Sequence, residues 1–244
     1  MERLPILAIV AAAVQRYRQL FPDLMRVIAL PALAHAVILY VWFRLTANQK
    51  PLFLLLWVAQ GFLMTLAAHS CHRVILLGPE SVPPLGSSGT AARDWRFLCT
   101  AVALFVTISL LQLLGNMAIF IPLSALAPNT APANSDLAVT LTWLTFLPAL
   151  YVTCRYAVCL PAAAVDRRLL ASQAWQLTQG HGLRLLLLVG IAPWLFHLVQ
   201  RWLASSFSID ADYIVAANLL FWLFLPLEIA LLSVCYQRLS RAAA

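Results

Sequence analysis

The chain has 244 residues, of which 63% are hydrophobic and only 10% charged, with a formal net charge of +7 and a mean hydropathy of +0.87. A water-soluble domain averages about 25% charged residues, so most of this surface must face something other than water. An ordinary soluble fold is excluded. The positive charge does not argue for nucleic acid, because Lys and Arg collect in the loops beside membrane helices and no basic block with interleaved aromatics occurs.

In chain order, residues 4–14 are apolar but too short to span a bilayer, and the flanking Glu2-Arg3 is nearly neutral. Ile6, Leu7, Val10, Val14, Tyr17 and Phe21 recur at helical spacing, which predicts an amphipathic surface helix over residues 4–21 rather than a leader peptide. The first span is expected at about 26–44. Its 17 uncharged residues between Arg26 and Arg44 reach about 25 Å. The second is expected at 51–77, with His69, Cys71, His72 and Arg73 at its far end. Residues 78–94, rich in Gly, Pro and Ser, read as a loop.

The third span is expected at 97–123, followed by a polar loop over 127–136 with Pro128, Asn129, Pro132 and Asn134. The fourth is expected at 137–160. Asp166 then reads as the N-cap of an amphipathic linker helix over 166–179, ended by Gly180 and Gly182. The fifth and sixth spans are expected at 185–203 and 213–237, separated by a loop with Asp210 and Asp212. The fold class is therefore all-α: one membrane domain over 1–244, six transmembrane helices and two interfacial helices.

Six spans put both termini on one side. Of the 16 Lys and Arg, 13 lie on that side, and only Arg44, Lys50 and Arg201 lie on the other. Basic loops stay in the cytoplasm, so both termini are expected inside, in a bacterial inner membrane. All five cysteines then sit in or near the cytoplasmic halves of their spans, where disulfides do not persist. Seven tryptophans (Trp42, Trp57, Trp143, Trp175, Trp194, Trp202 and Trp222) read as interfacial anchors.

Two local matches point to three repeated helical hairpins. Arg73-x5-Pro79 pairs with Arg155-x5-Pro161, and Tyr17-x8-Arg26 pairs with Trp175-x8-Arg184. The latter lead into Pro31-x3-His35 and Pro193-x3-His197, offset by about one helical turn.

The segment from Arg155 to Arg184 carries a family likeness. Arg155, the Pro161-Ala turn, then Ser172, Trp175, Leu177, Thr178 and Gly180 resemble the pattern of a group of uncharacterised bacterial six-helix membrane proteins. That group is related to the membrane domain of glycerophosphodiester phosphodiesterases. The resemblance implies the six-span layout. In the enzymes of that group the catalytic barrel is a separate soluble domain, which this chain lacks, so no catalytic residue carries over.

Among single residues, Glu228 is the sharpest. A carboxylate inside a span is costly and usually faces the bundle interior or a watery cavity, where it serves either proton or ligand binding or a structural hydrogen bond. His35 and His197 are further intramembrane candidates, read mainly as helix-to-helix hydrogen-bonding groups. His69 and His72 stand at i and i+3, but a metal would need more ligands, so no metal or cofactor is expected. Arg155, Arg167, Arg168 and Arg184 are candidate lipid-headgroup contacts, competing with roles in topology and snorkelling. No phosphate loop, Gly-x-Ser-x-Gly or His-Glu-x-x-His motif occurs. The expected role is a non-enzymatic, lipid-associated or scaffolding membrane subunit, with membrane lipids and other membrane subunits as partners. A small transporter or flippase-like protein using Glu228 is the alternative, and a lipid-metabolising enzyme comes third.

Overall fold

The computed structural model describes residues 4–44, 50–126, 136–204 and 211–242. Of the expected loop over 127–136, residues 127–135 lie outside them, as does Asp210, and Asp136 is the first residue of a helix. The described residues form ten α-helices: α1 Ile6–Gln19, α2 Phe21–Arg44, α3 Lys50–Leu77, α4 Ala92–Leu126, α5 Asp136–Tyr156, α6 Cys159–Ala164, α7 Ala171–Leu177, α8 Gly182–Leu185, α9 Ala192–Ala204 and α10 Ala211–Ala242. A single 3-10 turn, Pro79–Ser81, follows α3, and a π-helical segment, Leu186–Ile191, joins α8 to α9. Six stretches are long and apolar enough to cross a membrane: Phe21–Val41, Leu52–Leu77, Ala92–Ile119, Trp143–Ala164, Gly182–Val199 and Ala217–Ala242. The protein is an all-α, multi-pass integral membrane protein. Consecutive spans pair as hairpins, α2 with α3, α4 with α5 and α9 with α10.

The breaks between elements follow from local chemistry. Gly78 ends α3 at φ +97°, a backbone region that glycine occupies without Cβ strain. Pro161 has no N–H for the helical ladder, and the chain turns at Ala157–Val158 before continuing as α6. Pro193 likewise cannot bond back one turn, and the ladder widens to π geometry just ahead of it. Gly86 sits at φ +86°, and a Cβ there would stand 2.5 Å from the Val27 carbonyl oxygen, so the 82–91 loop seats directly on α2.

Helix α10 is the axis of the bundle. It packs against α1, α2, α3, α6, α9 and the π segment, and Ile229 to Tyr236 is a run of eight buried residues. α1, at 14 residues, reaches only about 21 Å and is too short to cross. Its packed side overlaps only half of the stripe read from the sequence. Ile9 and Ala13 are fully buried with Ile6, Val10 and Tyr17 packed beside them, whereas Leu7, Val14 and Phe21 point outward. Residues 6–14 are apolar on both faces, so periodicity there could not say which one meets protein and which meets lipid.

The linker also differs from expectation. Residues 167–170 are not helical, and α7 starts only at Ala171, with Leu170 in the capping position. Asp166 is not an N-cap. It adopts a left-handed conformation, φ +62°, and turns its carboxylate back toward α3 and α4.

Candidate functional site: the arginine-rich end and the groove beside α4

The arginines at the ends of α3, α4, α5 and α8 build a network of internal contacts. Arg73 is buried. Its Nη1 donates to the Ala164 carbonyl at 2.7 Å and to Asp166 Oδ2 at 3.1 Å, and its Nε donates to the Ser81 carbonyl at 3.2 Å. Arg96 Nη2 donates to the other oxygen, Asp166 Oδ1, at 2.7 Å. One carboxylate thus clasps α3 to α4 through the 165–170 turn. The geometry explains the left-handed backbone: Asp is among the few residues that tolerate it, and two charge-assisted bonds hold it there.

Arg155 is also buried. Its Nε donates to Thr178 Oγ1 at 3.0 Å, its Nη2 donates to the Trp175 carbonyl at 2.6 Å, and its guanidinium lies 3.4 Å over the Trp175 ring. The Arg, Trp and Thr that carried the family likeness are therefore one contact unit. It bolts the end of α5 to α7. Arg184 Nη1 donates to the Leu4 carbonyl at 2.8 Å, tying the chain's start to α8. A Cβ on Gly182 would overlap the Tyr151 phenol, so α8 can lie against α5 only with glycine there. His181, just ahead of α8, is buried with no hydrogen-bond partner on Nδ1. Burial, and then the Arg184 charge, hold its pKa below the ordinary 6.5. Of the four arginines read as headgroup contacts, Arg155 and Arg184 are engaged with the protein, and Arg167 and Arg168 are exposed.

The histidines at the end of α3 diverge. His69 Nδ1 lies 3.1 Å from Asp94 Oδ1, both side chains almost fully buried, while His72 Nδ1 meets Ser233 Oγ at 2.8 Å. Phe97 packs between the two rings, with centroids at 5.0 and 5.8 Å. Among the described residues no group of three or more His, Cys, Asp or Glu could hold a metal ion.

Deeper in the bundle, His35 Nδ1 stands 2.6 Å from Asn218 Oδ1, and Trp222 Nε1 donates to the same oxygen at 3.2 Å. Trp222 Nε1 also stands 3.1 Å from His35 Nδ1, so the three side chains close a triangle of polar contacts. Trp222 is thus a buried bonding partner, not an interfacial anchor. Its indole faces a histidine inside the bundle, which a position count along the span does not show. His197 stacks on Phe221 at 6.2 Å, and His35 meets the same ring at 6.1 Å. His197 Nε2 lies 3.6 Å from Glu228 Oε1, with Glu228 largely sheltered and His197 half-exposed. The three intramembrane candidates therefore gather around α10.

A groove beside α4 was missed in the sequence. One end is a cavity of about 360 Å³ walled by Trp95, Arg96, Asp166, Arg167 and Arg168, with Cys99, Thr100, Cys159, Ala163, Leu169 and Leu170. The other is a cavity of about 550 Å³ walled by Ala103, Leu104, Thr107, Tyr156 and Ala171, again with Cys99, Thr100, Cys159 and Leu169. The four shared residues join them into one groove, charged at one end and uncharged at the other. Arg96, Thr100, Ala103 and Thr107 form a helical stripe of small residues beside one arginine on a helix otherwise rich in Leu, Val and Phe. Thr100 Oγ1 donates to the Arg96 carbonyl and Thr107 Oγ1 to the Ala103 carbonyl, so the hydroxyl protons are satisfied within α4. That stripe was the available signal.

The chain matches no known family model, curated protein or solved structure. What the site does must therefore be argued from its own geometry. The groove offers no nucleophile–base pair and no cluster of carboxylates. It offers a cationic mouth and an open, uncharged trough, which is a shape for holding an amphiphile.

Proposed function

We propose that the protein is a non-enzymatic, lipid-binding unit of a bacterial inner membrane, with both termini cytoplasmic, related to the six-helix membrane domains of the glycerophosphodiester phosphodiesterase group. One observation carries the lipid reading: the groove beside α4 changes from three arginines at its mouth to an uncharged wall of Ala103, Leu104, Thr107 and Tyr156 about three helical turns further on. A diacyl lipid has that polarity profile. Guanidinium groups bind phosphate oxygens with matched geometry, and α4 faces outward over most of its length, so a lipid could enter sideways from the bilayer.

Extraction from native membranes in mild detergent, followed by mass spectrometry of the intact assembly, tests this. The expected result is phospholipid retained at a defined stoichiometry. Protein released bare, or with another membrane chain in place of lipid, would sink it and favour a scaffolding subunit.

The 3.6 Å contact between His197 and Glu228 favours a second reading, a proton-coupled transporter. That reading predicts that Glu228→Gln abolishes proton movement across proteoliposomes in a pH-jump assay. Equal proton flux in wild type, variant and empty vesicles would remove it.

A further inference from the structure

We infer that the groove selects an anionic phospholipid whose headgroup has no ammonium, such as a phosphatidylglycerol, over a zwitterionic one. The inference rests on the lipid-binding reading and adds the headgroup class.

The argument is charge accounting at the mouth. Three guanidinium groups and one carboxylate line it. The carboxylate, Asp166, has each of its oxygens committed, one to Arg73 and one to Arg96. No second acidic side chain lines either cavity. An incoming phosphate therefore meets Arg167 and Arg168, both exposed, and the solvent-facing side of Arg96. A choline or ethanolamine group carried with it would meet those same cations and no free anion. Trp95 is a single exposed ring, and an aromatic cage for a quaternary ammonium needs more than one. Two uncompensated arginines facing a net negative headgroup are the ordinary basis of anionic-lipid preference.

The groove carries its own reporters. Cys99 and Cys159 wall both cavities, Cys99 exposed and Cys159 half-buried, whereas Cys71, Cys154 and Cys235 are buried and serve as unreactive references. The full chain is placed in nanodiscs of phosphatidylcholine or phosphatidylglycerol with identical acyl chains. Alkylation by N-ethylmaleimide is then followed for each cysteine by peptide mass spectrometry. We expect Cys99 and Cys159 to react about thirtyfold more slowly in phosphatidylglycerol, the preference two arginines give at an anionic surface. The double variant Arg167→Gln/Arg168→Gln should return the rate to the phosphatidylcholine value. Both arginines are exposed, so the variant leaves the packed contacts intact.

Four outcomes overturn the inference. Slow labelling that persists in the double variant assigns the effect to the charged bilayer surface. Equal protection in both lipids, relative to detergent, leaves the lipid reading standing and removes the selectivity. No protection in either lipid removes both. Protection by soluble glycerol phosphate in detergent, equal to that by phosphatidylglycerol, makes the site one for a free phosphate ester.

Discussion

α4 and α10 are the two longest helices, 35 and 32 residues, and their spanning segments are almost equally apolar. Yet only 6% of the α4 segment is buried inside the protein, against 56% for α10. Hydropathy says that both cross the membrane. It says nothing about what they touch, because lipid tails are as apolar as a protein interior. The difference lies in the small and polar residues. α10 carries Asn218, Ala230, Ser233 and Cys235 on its packed face, and these let neighbouring helices approach and bond. Among its described residues α4 is fully buried only at Asp94 and Phe97, near its start; further along, Gln112 donates to Thr145 Oγ1 of α5, which donates to Asn116 Oδ1, and the rest of the helix is largely exposed. A helix anchored that way leaves a wall free for a ligand, and the groove lies on it.

The anchoring of α4 yields the largest expected effect. His69 and Asp94 form a nearly dry pair, and Asp94 also accepts the Ala91 N–H at 3.2 Å. Removing the carboxylate leaves the buried His69 ring without its polar contact and the Ala91 N–H without its acceptor. Asp94→Ala should cost about 3 kcal/mol, the upper end for unsatisfied buried polar groups. Hydrogen exchange should accelerate through the first turns of α4 while α10 keeps its protection. Equal acceleration in both helices would mean that α4 is not an independently held element.

A pair of leucine truncations sharpens the contrast. Leu231 on α10 is 2% exposed, and Leu110 on α4 is 53% exposed. The transfer of apolar surface contributes little between helices in lipid, so the loss is mainly the cavity. Leu231→Ala should cost about 2 kcal/mol and Leu110→Ala less than about 0.5 kcal/mol. Reversible unfolding in mixed micelles measures both, and similar values would mean that α4 is buried against a further chain in the membrane.

These contrasts mark how far the sequence could be read. The six spans follow from run length, and the hairpin ends follow from Gly78, Pro161 and the basic residues beside them. Arg155, Trp175 and Thr178 were legible as a motif, although their common contact was not. Asp166 was misread because a local rule, an acidic residue before a helix, met a tertiary demand. Its partners, Arg73 and Arg96, lie 93 and 70 residues away. The outward half of the α1 stripe, Leu7 and Val14, and the bonded Trp222 failed for another reason: where neighbouring residues are apolar all round, helical periodicity has no polar face to point with. Asp166→Asn separates charge from conformation, since Asn tolerates the left-handed region at least as well as Asp. It should cost about 1 kcal/mol, with both arginines losing their ionic partner. Loosening should show in proteolysis of the 165–170 turn, and unchanged cleavage there would show the clasp to be ornamental.

The smallest effect tests the end where α8, α5 and the start of the chain meet. Burial and Arg184 depress the pKa of His181 below its ordinary 6.5, so the folded protein favours the neutral ring. The unfolded chain takes up a proton near pH 6.5 that the folded chain resists. The stabilising contribution is therefore fully present above that pH, is lost as pH falls from 6.5 through the folded pKa, and levels off below it. His181→Gln should flatten the dependence of thermal unfolding on pH in this acidic window and leave the curve above pH 7 unchanged. A slope that survives the substitution would assign the acid sensitivity to another group and leave this junction insensitive to pH, with α4 still the more weakly held of the two long helices.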